Sequence, residues 1–256
     1  MSIAKVFCFG EILLHYAPLV NSDFIESQNM PFYLGGAELN VASALAKWDI
    51  PVKYGTAMPS HFLTDTIIGH LSKKNIDSSA ILFSGIRIGC FYLATGLVLK
   101  NAAVVYDRTN SSFAEIKKGS IDWKEVLKDV HWFHFSAISA ALTQNATDVC
   151  EEALIAATEL GIPISVDLNY RAKLWQYGKK PIEVMTRLVK YCTVLMGNLW
   201  AVEEMLGIKV ASHSEITRML AEHGLFGIIG LLILVFTPII LGFDNKQHIY
   251  LYSFLV

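Results

Sequence analysis

The chain has no excess of charge of either sign. Its 256 residues carry 21 basic and 23 acidic side chains, a net charge of −2, and its pI lies near 6.4. That balance leaves no electrostatic footprint for nucleic acid. Cysteine is scarce and scattered: Cys8, Cys90, Cys150 and Cys192 stand singly, with no CxxC pair. Such spacing excludes a disulfide frame and predicts reduced, mostly buried thiols in a cytoplasmic protein. HExxH, GxSxG, Walker A and paired zinc spacings are all missing. His131 and His134 fall three apart on a predicted strand, so they point to opposite faces and make a poor metal pair. After the first apolar run the chain reads Gly10-Glu-Ile-Leu13 rather than GxGxxG, which argues against a dinucleotide-dependent oxidoreductase. Met1–Phe9 holds one lysine and a short apolar run. It reads as a buried first strand, not as a secretory leader.

What is there is alternation. Strands are expected over Ile3–Phe9, Val52–Ala57, His131–Phe135, Pro163–Asp167 and Thr193–Met196. Helices are expected over Gly36–Trp48, Thr64–Lys74, Gln144–Leu160, Lys180–Lys190 and Trp200–Leu206. Pro51, Gly161 and Gly207 punctuate them. Strands spaced by helices predict an α/β fold with a parallel sheet covered on both faces. Ile88–Tyr106 breaks the rhythm: two extended runs about Lys100-Asn101, rich in β-branched and aromatic residues, read as a hairpin or part of a small separate sheet. Such a hairpin would form a lid over the main sheet's ligand edge.

Candidate chemistry sits at turns. Tyr33-Leu-Gly-Gly-Ala-Glu-Leu-Asn-Val-Ala42 runs from an extended segment through Gly35-Gly36 into an alanine-rich helix. Glycines allow a sharp turn and close approach of backbone to ligand, and the helix start offers free N–H groups. The plainer reading is a strand break before a helix. Asp167-Leu-Asn-Tyr-Arg171 follows a buried strand, where open α/β sheets place ligands. Its arginine suits a carboxylate or phosphate; alternatively the Asp and Asn cap the next helix. Tyr106 and Arg108 share one face at period two, and Asn198 after Gly197 is either a ligand-edge residue or a turn.

Together these segments resemble the ribokinase-like (PfkB-type) sugar kinases, most closely their 2-keto-3-deoxygluconate kinase branch. The resemblance runs over roughly residues 3–210. It rests on Gly35–Ala42, Val105–Phe113, Val166–Trp175, His131–Ser136 and Gly197-Asn198. It implies a ribokinase-like parallel-sheet core flanked by helices, with a small β lid whose strands lie near 12–35 and 88–107. By resemblance Gly35, Gly36 and Asn40 bind sugar hydroxyls, while Tyr106 and Arg108 hold the acid end. Arg171 neutralises carboxylate or phosphate, and Asp167, Asn169 and Asn198 face ATP and Mg²⁺. The family's first lid strand usually carries a Tyr where this chain has Phe91, which removes one substrate hydrogen bond. The implied activity is ATP-dependent phosphorylation of a sugar acid, and the implied partner beyond substrate is a second copy joined through the lid.

Two departures stand out. After Gly197-Asn198 the chain continues Leu-Trp-Ala201, where the family has acidic residues. The family's Gly-Ala-Gly-Asp segment, whose aspartate is the catalytic base, has no counterpart. Phosphoryl transfer needs such a base and an anion cradle. The expectation is therefore a substrate-binding domain over 1–223 with little or no kinase activity and no assignable catalytic residue. From Gly224 to Phe243 no charge interrupts the chain. That length matches a membrane span, but Pro238 and four glycines weaken it as a helix. Residues 224–256 read as a membrane anchor, as two core strands, or, the favoured reading, as a shifted reading frame. The rival functions are a non-catalytic sugar-acid binder and a membrane-anchored relic.

Overall fold

A computed structural model describes residues 4–18, 24, 29–93 and 104–209. The chain divides into two compact units, residues 1–208 and 209–256. The apolar tail from 224 and the turn at Lys100-Asn101 lie outside the described residues.

The first unit is built on two sheets. The larger contains β1 Val6–Phe9, β4 Val52–Met58, β5 Ile76–Phe83, β8 Trp132–Ser136, β9 Ile164–Asp167 and β10 Val194–Met196. These six strands lie in the order β10-β9-β8-β1-β4-β5, each paired parallel to its neighbour. The smaller sheet contains β2 Leu13–Tyr16, β3 Phe32–Gly35, β6 Cys90–Leu93 and β7 Val104–Asp107, in the order β3-β2-β6-β7. Its β3–β2 and β6–β7 pairs are antiparallel, joined by a parallel β2–β6 pair.

Helices cover both faces of the large sheet, so its strands can be apolar throughout. On one face Phe7, Phe9, Phe133 and Phe135 meet α3 Trp123–Leu127, α5 Gln144–Glu159, α6 Pro181–Leu188 and α7 Leu199–Leu206. On the other, Cys8, Val52 and Tyr54 meet α1 Ala37–Lys47 and α2 Phe62–Lys73. A one-turn α4, Ala137–Ala140, follows β8 directly. Each fully buried phenylalanine contributes about 1.5–3 kcal/mol of transfer free energy. Local signals set the helix ends: the Thr143 hydroxyl accepts from the Ala146 N–H at 3.1 Å to start α5, and Gly161 (φ +70°) follows its end.

Several boundaries move by one to three residues from expectation, and β5 is new. Its sequence, Ile-Asp-Ser-Ser-Ala-Ile-Leu-Phe, opens on polar residues and hid the strand; pairing with β4 decides it. The expected strand over 131–135 begins instead at Trp132, and His131 accepts through Nδ1 from the Lys5 N–H at 3.2 Å. His134 lies inside the strand, buried, its Nδ1 2.9 Å from the Ser165 hydroxyl. Among the described residues no three His, Cys, Asp or Glu side chains are placed to hold a metal ion. Cys8, Cys90, Cys150 and Cys192 are all free thiols. Among the described residues no helix is long and apolar enough to cross a membrane.

Candidate functional site

From β1 the chain works outward in one direction to β4 and β5, and later in the other through β8, β9 and β10. The order therefore reverses between β1 and β8, the place where open parallel sheets leave a crevice at their C-terminal ends. Along that edge the strand ends follow one another as Gly197-Asn198, Asp167–Arg171, Ser136 and Gly10-Glu11.

Glu38, in the first turn of α1, is buried between the ends of β1 and β8. One of its carboxylate oxygens accepts from the Ser136 N–H at 2.9 Å, the Ser136 hydroxyl at 2.5 Å and the Ser139 hydroxyl at 3.0 Å. Burial raises its pKa, while these hydrogen bonds act in the opposite direction. A Cβ on Gly10 would stand 2.1 Å from this carboxyl, so only glycine leaves it room.

Beside it the small sheet's strands enter and leave. Tyr33, His15, Phe91 and Tyr106 are successive cross-strand partners and form one row on one face. His15 stacks on Phe91 (centroids 4.3 Å apart, planes 10°), and Phe91 meets Tyr106 at 6.3 Å. Burial lowers the His15 pKa, and its Nε2 is buried without a partner among the described residues. Gly35 lies under Phe91: a Cβ there would come within 2.9 Å of the ring. Gly36 has φ +142° and would press a Cβ to 2.5 Å from the Glu11 carbonyl oxygen. Arg108 is buried and donates from Nε to Glu11 at 2.6 Å. Gly35, Gly36, Phe91, Tyr106 and Arg108 are thus neighbours. Asn40 is exposed and lines a cavity of about 190 Å³ between α1, β3 and α2, with Ser43, His70 and Lys74 among its walls.

The second group sits at the ends of β9 and β10. The Asp167 carboxylate accepts from the Asn169 N–H at 3.0 Å, and burial raises its pKa. Asn169 adopts φ +26°, outside the usual backbone regions. Arg171 is exposed and donates to the Tyr170 carbonyl at 3.0 Å. The Asn198 side chain accepts from the Ala201 N–H at 2.8 Å and so caps α7, the turn reading of that residue. Tyr170 packs edge-on against Trp200 at 4.8 Å, which holds the two loops together. Lys173 reaches the Val104 carbonyl of β7 at 3.4 Å, joining this group to the small sheet.

Sequence reading passed over Glu11, Glu38 and His15. The carboxylates did carry a signal: each adjoins a glycine or an apolar run at a strand or helix end, where an unpaired charge cannot stay buried.

The fold agrees with comparisons to known proteins. Residues 3–228 match the pfkB family carbohydrate kinase profile. The chain belongs to that family. The crystal structure of 2-dehydro-3-deoxygluconokinase from Thermotoga maritima superposes with TM-score 0.78 at 35% identity, covering 86% of this chain and 68% of that one. The 2-dehydro-3-deoxygalactonokinase of Haloferax volcanii is 26% identical over 172 residues, 67% of this chain and 54% of the relative. An uncharacterized sugar kinase from Pyrococcus horikoshii in complex with ATP superposes with TM-score 0.69, covering 80% of this chain and 67% of that one. At 18% identity it shows the fold alone. The chain spans about half the length of the curated relatives it matches.

Proposed function

We propose that this chain is the sugar-binding part of an ATP-dependent kinase for 2-keto-3-deoxygluconate or a similar sugar acid, working in the cytoplasm. One observation carries the reading: Gly35, Gly36, Phe91, Tyr106 and Arg108 gather beside the crevice at the sheet's reversal point. The Arg108 Nε is engaged by Glu11, which leaves the two terminal nitrogens as a fork for a carboxylate. Tyr106 would hydrogen-bond the acid end, and the turn at Gly35-Gly36 would lie against sugar hydroxyls. Asn169 and Asn198, with Asp167, suit the phosphate side of ATP. Mg²⁺ would arrive largely ligated by those phosphates and water. Arg171, exposed in the loop after β9, would neutralise the transferring phosphoryl group.

The reading includes low turnover by the 256-residue chain itself, because it has no Gly-Ala-Gly-Asp segment to supply base and anion cradle. It also includes self-association through the far face of the small sheet, where Phe32 and Val105 are 49% and 59% exposed. Calorimetric titration of the purified chain with 2-keto-3-deoxygluconate, beside a coupled assay for ATP consumption, tests both main parts. Saturable binding with no ATP turnover is expected. Absence of binding overturns the sugar-acid assignment; sustained sugar-dependent turnover overturns the inactivity.

A further inference from the structure

The backbone passes between the small sheet and the helix-covered large sheet at four places: 10–12, 36, 84–89 and 108–122. All four meet at one side chain or its own backbone. Glu11 lies in the first crossing. Its carbonyl oxygen would be 2.5 Å from a Cβ on Gly36, in the second. Its Oε1 would be 2.5 Å from a Cβ on Gly89, in the third. Its Oε2 accepts from Arg108 Nε at 2.6 Å, in the fourth. Glu11 and Arg108 are only 3% and 6% exposed, and Glu11 Oε1 is buried with no hydrogen-bond partner among the described residues.

We propose that Glu11 is a positioning residue for substrate: it fixes the Arg108 guanidinium so that its terminal nitrogens, and not Nε, meet the acid group. This rests on the sugar-acid reading above. A buried arginine left without a carboxylate partner turns toward whatever acceptor it can reach, and its fork no longer faces a ligand in one geometry. A carboxylate in Glu11's place that also bound Gly89 or Gly36 through a hydrogen bond would be a scaffold element. Among the described residues its second oxygen has no such partner, and the one directed side-chain bond is to Arg108. Gly89 gives the carboxylate its room and Gly36 makes room for the Glu11 backbone carbonyl, because a side chain at either would displace that group.

The test uses the full chain, 2-keto-3-deoxygluconate and its uncharged methyl ester. In Glu11→Ala, affinity for the acid is expected to fall at least tenfold, while affinity for the ester changes less than threefold. In Glu11→Gln the amide oxygen still accepts from Nε, so acid affinity should stay within about threefold of wild type. The Arg108 Nε–H signal in a ¹H–¹⁵N spectrum should be present in wild type and Glu11→Gln and absent in Glu11→Ala. Equal losses for acid and ester in a folded Glu11→Ala overturn the proposal, as does a tenfold loss in Glu11→Gln. If Glu11→Ala does not fold, the Glu11→Gln titrations decide alone. If the wild-type chain binds neither ligand, the sugar-acid reading falls, and this one with it.

Discussion

Replacing Gly36 with alanine isolates what the Gly-Gly turn contributes. Gly36 holds φ +142° and ψ 134°, a conformation that L residues avoid, and adopting it costs a side-chain-bearing residue about 1–3 kcal/mol. A second cost comes from space. The new methyl would stand 2.5 Å from the Glu11 carbonyl oxygen and 3.3 Å from Leu39 Cβ, so backbone must move, for roughly 1–3 kcal/mol more. The sum, roughly 2–6 kcal/mol, is a large share of the ~5–15 kcal/mol that holds a domain together. Gly161 separates the two costs. It has φ +70°, and a methyl there would meet nothing within 4 Å, so Gly161→Ala should lose only the left-handed penalty, about 1–2 kcal/mol. Urea unfolding followed by tryptophan fluorescence gives both numbers on one scale. Equal losses for the two variants, or a loss below about 1 kcal/mol for Gly36→Ala, would refute the claim that close approach to Glu11 fixes this turn.

Other outcomes follow from the buried charges. Glu38→Ala removes the acceptor of a backbone N–H and two hydroxyls; the N–H cannot turn elsewhere, so about 3 kcal/mol should be lost in the same unfolding assay. Burial raises the Glu38 pKa above 4.5, so the folded state holds that proton more tightly than the unfolded chain. Its contribution is therefore greatest at low pH and declines as pH rises through the folded pKa, a slope that Glu38→Gln should remove. His134 runs the other way: burial lowers its pKa to about 4, so it folds neutral. Stability should drop by about 3 kcal/mol as pH falls from 6.5 toward 4, and its ring proton shifts should not titrate above pH 5. Lys53 is buried and donates to Asp129 and to the Val126 carbonyl at 3.0 Å. Asp129→Ala leaves that ammonium only the Val126 carbonyl and also removes a partner of Lys5, and should cost roughly 1–3 kcal/mol, whereas Lys53→Met should change thermal stability by about 1 kcal/mol or less.

The class of fold and most of its elements were legible in the order of the residues. Apolar runs such as Val6–Phe9, helices closed by Gly161 and Gly207, and turn residues at strand ends are local signals, and local backbone physics obeys them. Residue order also marked Gly36, since few contexts place two glycines directly before an alanine-rich helix. Sequence could not set the roles of residues whose meaning depends on distant partners. Glu11 and Arg108 are 97 positions apart, and Glu38 meets Ser136 across 98. Periodicity carries no record of such pairs. β5 stayed hidden for the same reason: its polar start is tolerated only because β4 lies beside it. Asn198 shows the reverse case, since its side chain serves the next turn of its own chain and the α7 cap competes with any ligand for that oxygen. Local order was written in neighbouring residues. The crevice at the sheet's reversal point, and the carboxylates that line it, exist only once strands from opposite ends of the domain have been brought side by side, because burying a charge requires a partner that the chain must fold to reach.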